Sequence, residues 1–152
     1  MLRPSLLSRV FAALLLVALA GCNAAGVLAD VPDASAGPLA PEGITLTVDQ
    51  SAYARGETAR LTLRNGSAAT ATTGVLECAQ IETWTGSAWA TSAEGNDRVC
   101  IMIARVLAPG ETMTGTVALD VPAGQYRLVQ SVSLEGADGG VTAATAAFRV
   151  GA

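Results

Sequence analysis

Histidine is absent from this 152-residue chain, and so is lysine; all nine basic residues are arginine. Without histidine there is no Ser-His-Asp triad, no His-ligated zinc and no imidazole general base. Thirteen acidic residues outweigh the arginines and leave a net charge of −4, so no basic patch for nucleic acid is indicated. Aromatics are scarce, with two each of Trp, Tyr and Phe. The unbroken apolar stretch Val10–Leu19 is only about half of the ~20 residues that a membrane-spanning helix needs. Alanine is what abounds: 30 residues of it lie behind the 51% apolar content, so the figure overstates the core-forming side chains. Nothing in this composition asks for a cofactor or a metal.

The N-terminus reads as an address. Arg3 and Arg9 precede Val10–Leu19, and Leu19-Ala20-Gly21-Cys22 follows it. A charged region, an apolar region and a small-residue site, in that order, make residues 1–21 a secretory signal. The last four of these positions resemble the bacterial lipobox. The resemblance implies cleavage before Cys22, which then carries a thioether-linked diacylglycerol and usually an N-acyl chain. At ~0.8 kcal/mol per buried CH₂, two or three acyl chains anchor stably where one does not. Asn23 stands where an aspartate usually retains Gram-negative lipoproteins in the inner membrane. The expected destination is therefore the cell envelope, with the outer membrane favoured, on its periplasmic face or at the cell surface. After cleavage 131 residues remain, with seven Arg against 13 acids, a side-chain charge of −6.

Residues 22–42 are rich in Ala, Gly and Pro, hold no aromatic and keep no period, as expected of a flexible tether. About 20 such residues have an r.m.s. span of roughly 25 Å. From Gly43 the pattern turns to period two. Ile44, Leu46 and Val48 alternate with Thr45, Thr47 and Asp49, and Ala59, Leu61 and Leu63 with Thr58, Arg60, Thr62 and Arg64. Further strand-like runs cover 75–84, 89–91, 99–107, 112–119, 125–134 and 141–150. Gly, Pro, Asn and Asp clusters separate them. This predicts an all-β domain over 43–152, a β-sandwich of seven to eight antiparallel strands.

So small a core profits from a staple. Cys78 and Cys100 are the cysteines left once Cys22 is lipidated, and export would place them in an oxidising compartment. A redox pair normally sits as C-x-x-C, and a zinc site needs two more ligands. A structural disulfide is the expected reading. Closing a loop of about 23 residues, it would contribute roughly 3.4 kcal/mol in the chain-entropy model.

Five short motifs follow in order: Tyr53-x-x-Gly56-Glu57, Leu61-x-Leu63-x-Asn65, Gly86-x-x-Trp89, Leu107-x-Pro109-Gly110-Glu111, and Pro122-x-Gly124-x-Tyr126-x-Leu128. Together they resemble bacterial immunoglobulin-like domains of exported proteins, over about residues 43–150. The resemblance implies an Ig-like sandwich and says little of function. Tyr126 is placed like a tyrosine corner, its hydroxyl tying a loop to the sandwich. In antibody domains the disulfide joins the two sheets, whereas Cys78 and Cys100 fall on middle strands here, so a local bridge is expected.

Several residues invite a functional reading. Trp84 and Trp89 flank a four-residue turn, as an aromatic platform for a sugar or peptide, or as cross-strand packing. Glu77 and Glu82 are spaced for opposite strand faces, against paired-carboxylate catalysis. Asp138-Gly139-Gly140 beside Glu135 is ordinary hairpin chemistry rather than a calcium loop. Asn65-Gly66-Ser67 fits a glycosylation sequon but reads as a turn. Arg60, Arg64, Arg127 and Arg149 are expected on solvated faces. The preferred expectation is a non-enzymatic, lipid-anchored envelope protein that contacts another protein or an envelope polymer. The L-A-P-G-E and P-A-G-Q-Y segments also resemble a bacterial proteinase-inhibitor family with an Ig-like sandwich. A carbohydrate-binding module is the third expectation.

Overall fold

A computed structural model describes residues 43–152. The expected signal 1–21, Cys22 and the tether 22–42 lie outside the described residues. Eleven strands form: β1 Ile44–Val48, β2 Ala52–Tyr53, β3 Thr58–Asn65, β4 Ala71–Thr73, β5 Gln80–Trp84, β6 Trp89–Thr91, β7 Arg105–Leu107, β8 Thr112–Ala118, β9 Gly124–Leu134, β10 Gly140–Ala144 and β11 Phe148–Val150. They make two sheets. The small one runs β1-β3-β8, all antiparallel. The large one is built around β9, with β10 and β11 along one side. Along its other side β5 and then β4 pair with successive stretches of β9, and β6 and β7 lie beyond them. The chain is an all-β sandwich, as the alternation predicts.

The alternating side chains decide what the sandwich encloses. Ile44, Leu46, Ala59, Leu61, Leu63 and Val117 line the small sheet's inner face and are buried. Tyr126, Leu128, Val132, Ile81, Ala143 and Phe148 meet them from the large sheet. The outer face of the small sheet carries Thr45, Thr47, Thr58, Arg60, Arg64, Thr112, Thr114 and Thr116, all exposed.

Strand number and direction differ from expectation. Two short strands, β2 and β4, lack any pattern long enough to read, and β2 runs parallel to β11 rather than antiparallel. The run 141–150 divides because Thr145 turns inward. Its N–H donates to the Leu128 carbonyl at 2.9 Å, and its hydroxyl oxygen accepts the Leu128 N–H at 3.0 Å. The run 75–84 divides because a 3-10 turn, Leu76–Cys78, bulges out of the ladder. Leu76 is driven fully into the core by this bulge. It meets β8 at Gly115, where an added Cβ would stand 2.6 Å from the Leu76 Cβ. Of the run 99–107 only β7 pairs.

The motif residues tie turns together. Ala54–Glu57 and Ala108–Glu111 are the same device twice. In each, the fourth residue's N–H bonds to the first carbonyl, at 3.1 and 3.0 Å. In each the glutamate then accepts the first residue's N–H, Ala54 to Glu57 at 2.8 Å and Ala108 to Glu111 at 2.7 Å. The third residues, Gly56 and Gly110, hold φ of 78° and 84°, which a type II turn requires of that position. Asn65 is wholly buried; its amide donates to the Ala69 and Leu107 carbonyls and its oxygen accepts from Ser67. It is a turn residue with no free nitrogen for a glycan. The Tyr126 hydroxyl donates to the Pro122 carbonyl at 2.8 Å, the expected corner.

A second tyrosine lock closes the opposite turn. The Tyr53 hydroxyl donates to Asp49 Oδ1 at 2.7 Å and accepts the Gln50 N–H at 3.0 Å. Asp49 also accepts the Arg60 N–H at 2.9 Å. The Tyr53 bond, then the Arg60 bond, hold the Asp49 carboxyl below its usual value. Burial, then the Asp49 bond, push Tyr53 up to about 12.

Two outcomes follow from this packing. Gly115→Ala forces Leu76 off its seat and is expected to cost about 2 kcal/mol in urea unfolding, an overpacking effect; an unchanged midpoint contradicts the Leu76–Gly115 contact. The Asp49–Tyr53 lock stabilises above the unfolded carboxylate pKa of about 4 and is lost as pH falls through the lowered folded value. Its tyrosine arm is intact below about pH 10 and is lost as pH rises through about 12. Asp49→Asn should therefore flatten the acid limb of a stability-against-pH curve, and an acid limb like the wild type's contradicts it.

Candidate functional site

The outer face of the large sheet carries Trp84, Trp89, Glu82, Arg127 and the disulfide, in two regions. In the first, β5 and β6 form a hairpin that sets Trp84 opposite Trp89. The rings lie 5.4 Å apart at an interplanar angle of 57°, both half-buried. β5 also sets Glu82 opposite Arg127 of β9. Arg127 Nε donates to Glu82 Oε2 at 2.6 Å, and the guanidinium carbon sits 4.8 Å from the Trp89 ring centroid.

Arg127 is thus buried, not solvated as expected. The reason is that the hairpin folds over it, with Glu82 supplying the countercharge and Trp89 the lid. Trp89 spends one face on this cation and tilts against Trp84. The pair packs across the hairpin with only its outer parts accessible.

The second region begins at the bulge. Leu76 points inward, and Cys78, two residues on, leaves the core for the outer face. Cys78 is bonded to Cys100 across 22 positions, with Cα atoms 5.7 Å apart. Neither cysteine lies on a strand, so the expected placement on middle strands is corrected: one sits in the 3-10 turn and one in an irregular segment. Arg98 adds a second tie, its Nη2 donating to the Ala79 carbonyl. Burial lowers the pKa of this guanidinium. Glu77 is exposed on the bulge while Glu82 is spent on Arg127, so the two carboxylates make no catalytic pair.

Between these ties and β7 the chain presents apolar side chains to solvent. Val99 is 97% exposed, Ile101 60%, Met102 100%, Ile103 43% and Val106 66%. The Ile103 N–H bonds to the Ile101 carbonyl at 2.9 Å, which turns the chain tightly and leaves Met102 at the apex. Under the segment lies a groove of about 380 Å³ lined by Thr72, Val75, the disulfide, Ile103 and Ser131. Strand periodicity predicts half of these residues inside. They lie outside because residues 99–104 join no ladder and are tied to the bulge by the disulfide instead. The signal available in the sequence is V-C-I-M-I-A-R-V itself, apolar at consecutive positions and therefore without a strand's alternation.

Among the described residues no group of three or more His, Cys, Asp or Glu is placed to hold a metal ion. Among the described residues, Glu77 and Glu82 are kept apart and Glu82 is paired with Arg127. What the arrangement offers is an exposed apolar segment held by covalent and hydrogen-bonded ties. Exposed apolar side chains gathered in one segment are often functional on a protein surface.

A family model described as a bacterial Ig-like domain matches residues 40–148. No curated protein matches the chain. Among solved structures, the ASH / PapD-like domain of human CEP192 (PapD-like domain 7) is similar at 12% identity, over 70% of this chain and 84% of that one, with a TM-score of 0.36.

The staple generates a direct test. Replacing Cys78 and Cys100 together by alanine is expected to lower unfolding stability by about 3 kcal/mol. Amide exchange at 99–104 should accelerate more than in β9. Equal acceleration throughout the domain contradicts a local staple.

Proposed function

Because this chain belongs to the bacterial Ig-like domain family, we propose that it is a non-enzymatic binding module displayed on the cell envelope. The observation that carries the reading is the stapled apolar segment Val99–Val106, an energetic liability for an isolated monomer that the fold holds in place with a disulfide. Burying one such side chain in a partner is worth roughly 1.5–3 kcal/mol. Micromolar binding is worth about 8 kcal/mol net of association costs, so a partner must bury most of the five rather than two or three. The lipobox supports attachment through a diacylglycerol on Cys22, with residues 22–42 linking lipid to domain. Asn23 favours the outer membrane.

A proteinase-inhibitor reading has one observation in its favour. Met102 is wholly exposed at the apex of a loop fixed by a disulfide two residues before it. Stoichiometric inhibition of a secreted serine protease, abolished by Met102→Asp, would select it.

The proposal is tested in cells that produce the full precursor. A clickable fatty acid is expected to label the wild type and not Cys22→Ala. A photo-reactive residue in place of Met102 is expected to yield a discrete adduct. The same residue in place of Thr116, on the outer face of the small sheet, is expected to yield none. Equal adducts from both positions, or none from either, contradict the contact surface.

A further inference from the structure

β7 is the last strand of its side of the large sheet and pairs with β4 alone among the described residues. No strand among the described residues pairs with its outer edge, and it carries Val106 where edge strands usually carry a charge or a proline. β8 ends the small sheet in the same way. Between these two edges runs a groove of about 380 Å³ lined by Val75, Glu77, Arg105, Leu107, Glu111 and Met113.

We propose that this edge and the stapled segment before it form the interface of a symmetric dimer, with a second copy of this chain as the occupant. The inference rests on the reading above that the stapled segment is the contact surface, and it names the partner. Antiparallel pairing of β7 with itself about Val106 brings the two Val106 side chains together and is closed by a two-fold axis. Register then places Arg105 of each copy opposite Leu107 of the other, at the mouth of the groove that holds Glu77 and Glu111. Each Arg105 thereby gains carboxylates of the other copy.

Charge and area favour this occupant. The mature chain carries about −6, yet no acid lies between Asp97 and Glu111. The apolar patch itself can therefore close on its own kind, while Glu77 and Glu111 at its rim meet the other copy's Arg105. Five large apolar side chains, 43 to 100% exposed, supply several hundred Å², most of the ~800 Å² per partner that a stable interface uses. Anchoring two copies to one membrane raises their effective concentration and lets a weak pairing populate.

Sedimentation equilibrium of the mature chain, residues 22–152 with Cys22→Ser, tests this. A monomer–dimer equilibrium with Kd on the order of 10 μM is expected. Val106→Lys should weaken it at least tenfold, with an unchanged thermal midpoint. Val106→Cys should form an intermolecular disulfide under mild oxidation, since directly opposed residues across a two-fold ladder meet disulfide geometry. A chain that stays monomeric up to about 200 μM and forms no such cross-link overturns the proposal. So does a monomer that binds phosphatidylglycerol vesicles through the same residues, which would make the patch a membrane contact. Dimerisation that Val106→Lys leaves untouched overturns the pairing through β7. If the chain is monomeric while adducts at position 102 persist in cells, the contact-surface reading stands and only the second copy falls.

Discussion

The seating of Leu76 against Gly115 is the contact on which the rest of the outer face depends. A continuous strand from Ala71 to Trp84 would pair along β9 without interruption and bury its inward residues by simple alternation. The bulge breaks that ladder, and its cost is offset by an apolar side chain that reaches across the sandwich to the one position on β8 with no side chain in the way. With Leu76 committed inward, Cys78 emerges on the opposite face. The disulfide to Cys100 then carries residues 99–104 across the outer surface instead of into the sheet. A core contact thus decides what the exterior displays.

The outer face of the large sheet consequently has two characters. Over β9 the Trp hairpin closes down, and Glu82, Arg127 and Trp89 form a buried ion pair under an aromatic lid. Such a pair is costly to break and weakly stabilising when intact, so its worth here lies in fixing the hairpin's register. Beyond the bulge the same face opens, with Met102 and its neighbours in solvent. One half of the face is closed by polar and aromatic partners, and the other half is held open by a covalent tie.

Much of the fold is legible from residue pattern. The two long alternating runs appear as β1 and β3 with the expected faces inward, and the G-E turns and Tyr126 make the bonds their motifs imply. Three things are not legible, each for a physical reason. Leu76 and Thr145 bend the chain through tertiary contacts, and no local propensity announces either. Arg127 reads as a surface residue because its partner and its lid come from a hairpin more than 35 residues away. The apolar run 99–106 reads as a strand because hydrophobicity alone does not say whether water or protein lies opposite. The cysteines were readable as a staple, but what the staple presents depends on the bulge.

Solvent paramagnetic relaxation of methyl groups, measured on the dilute oxidised chain with a neutral soluble nitroxide, probes that display most directly. The methyls of Val99, Ile101, Met102 and Val106 should relax strongly, while those of Leu61, Leu76 and Ile81 remain shielded. Methyls at 99–106 as shielded as those of the core in dilute solution would contradict an outward-facing contact surface.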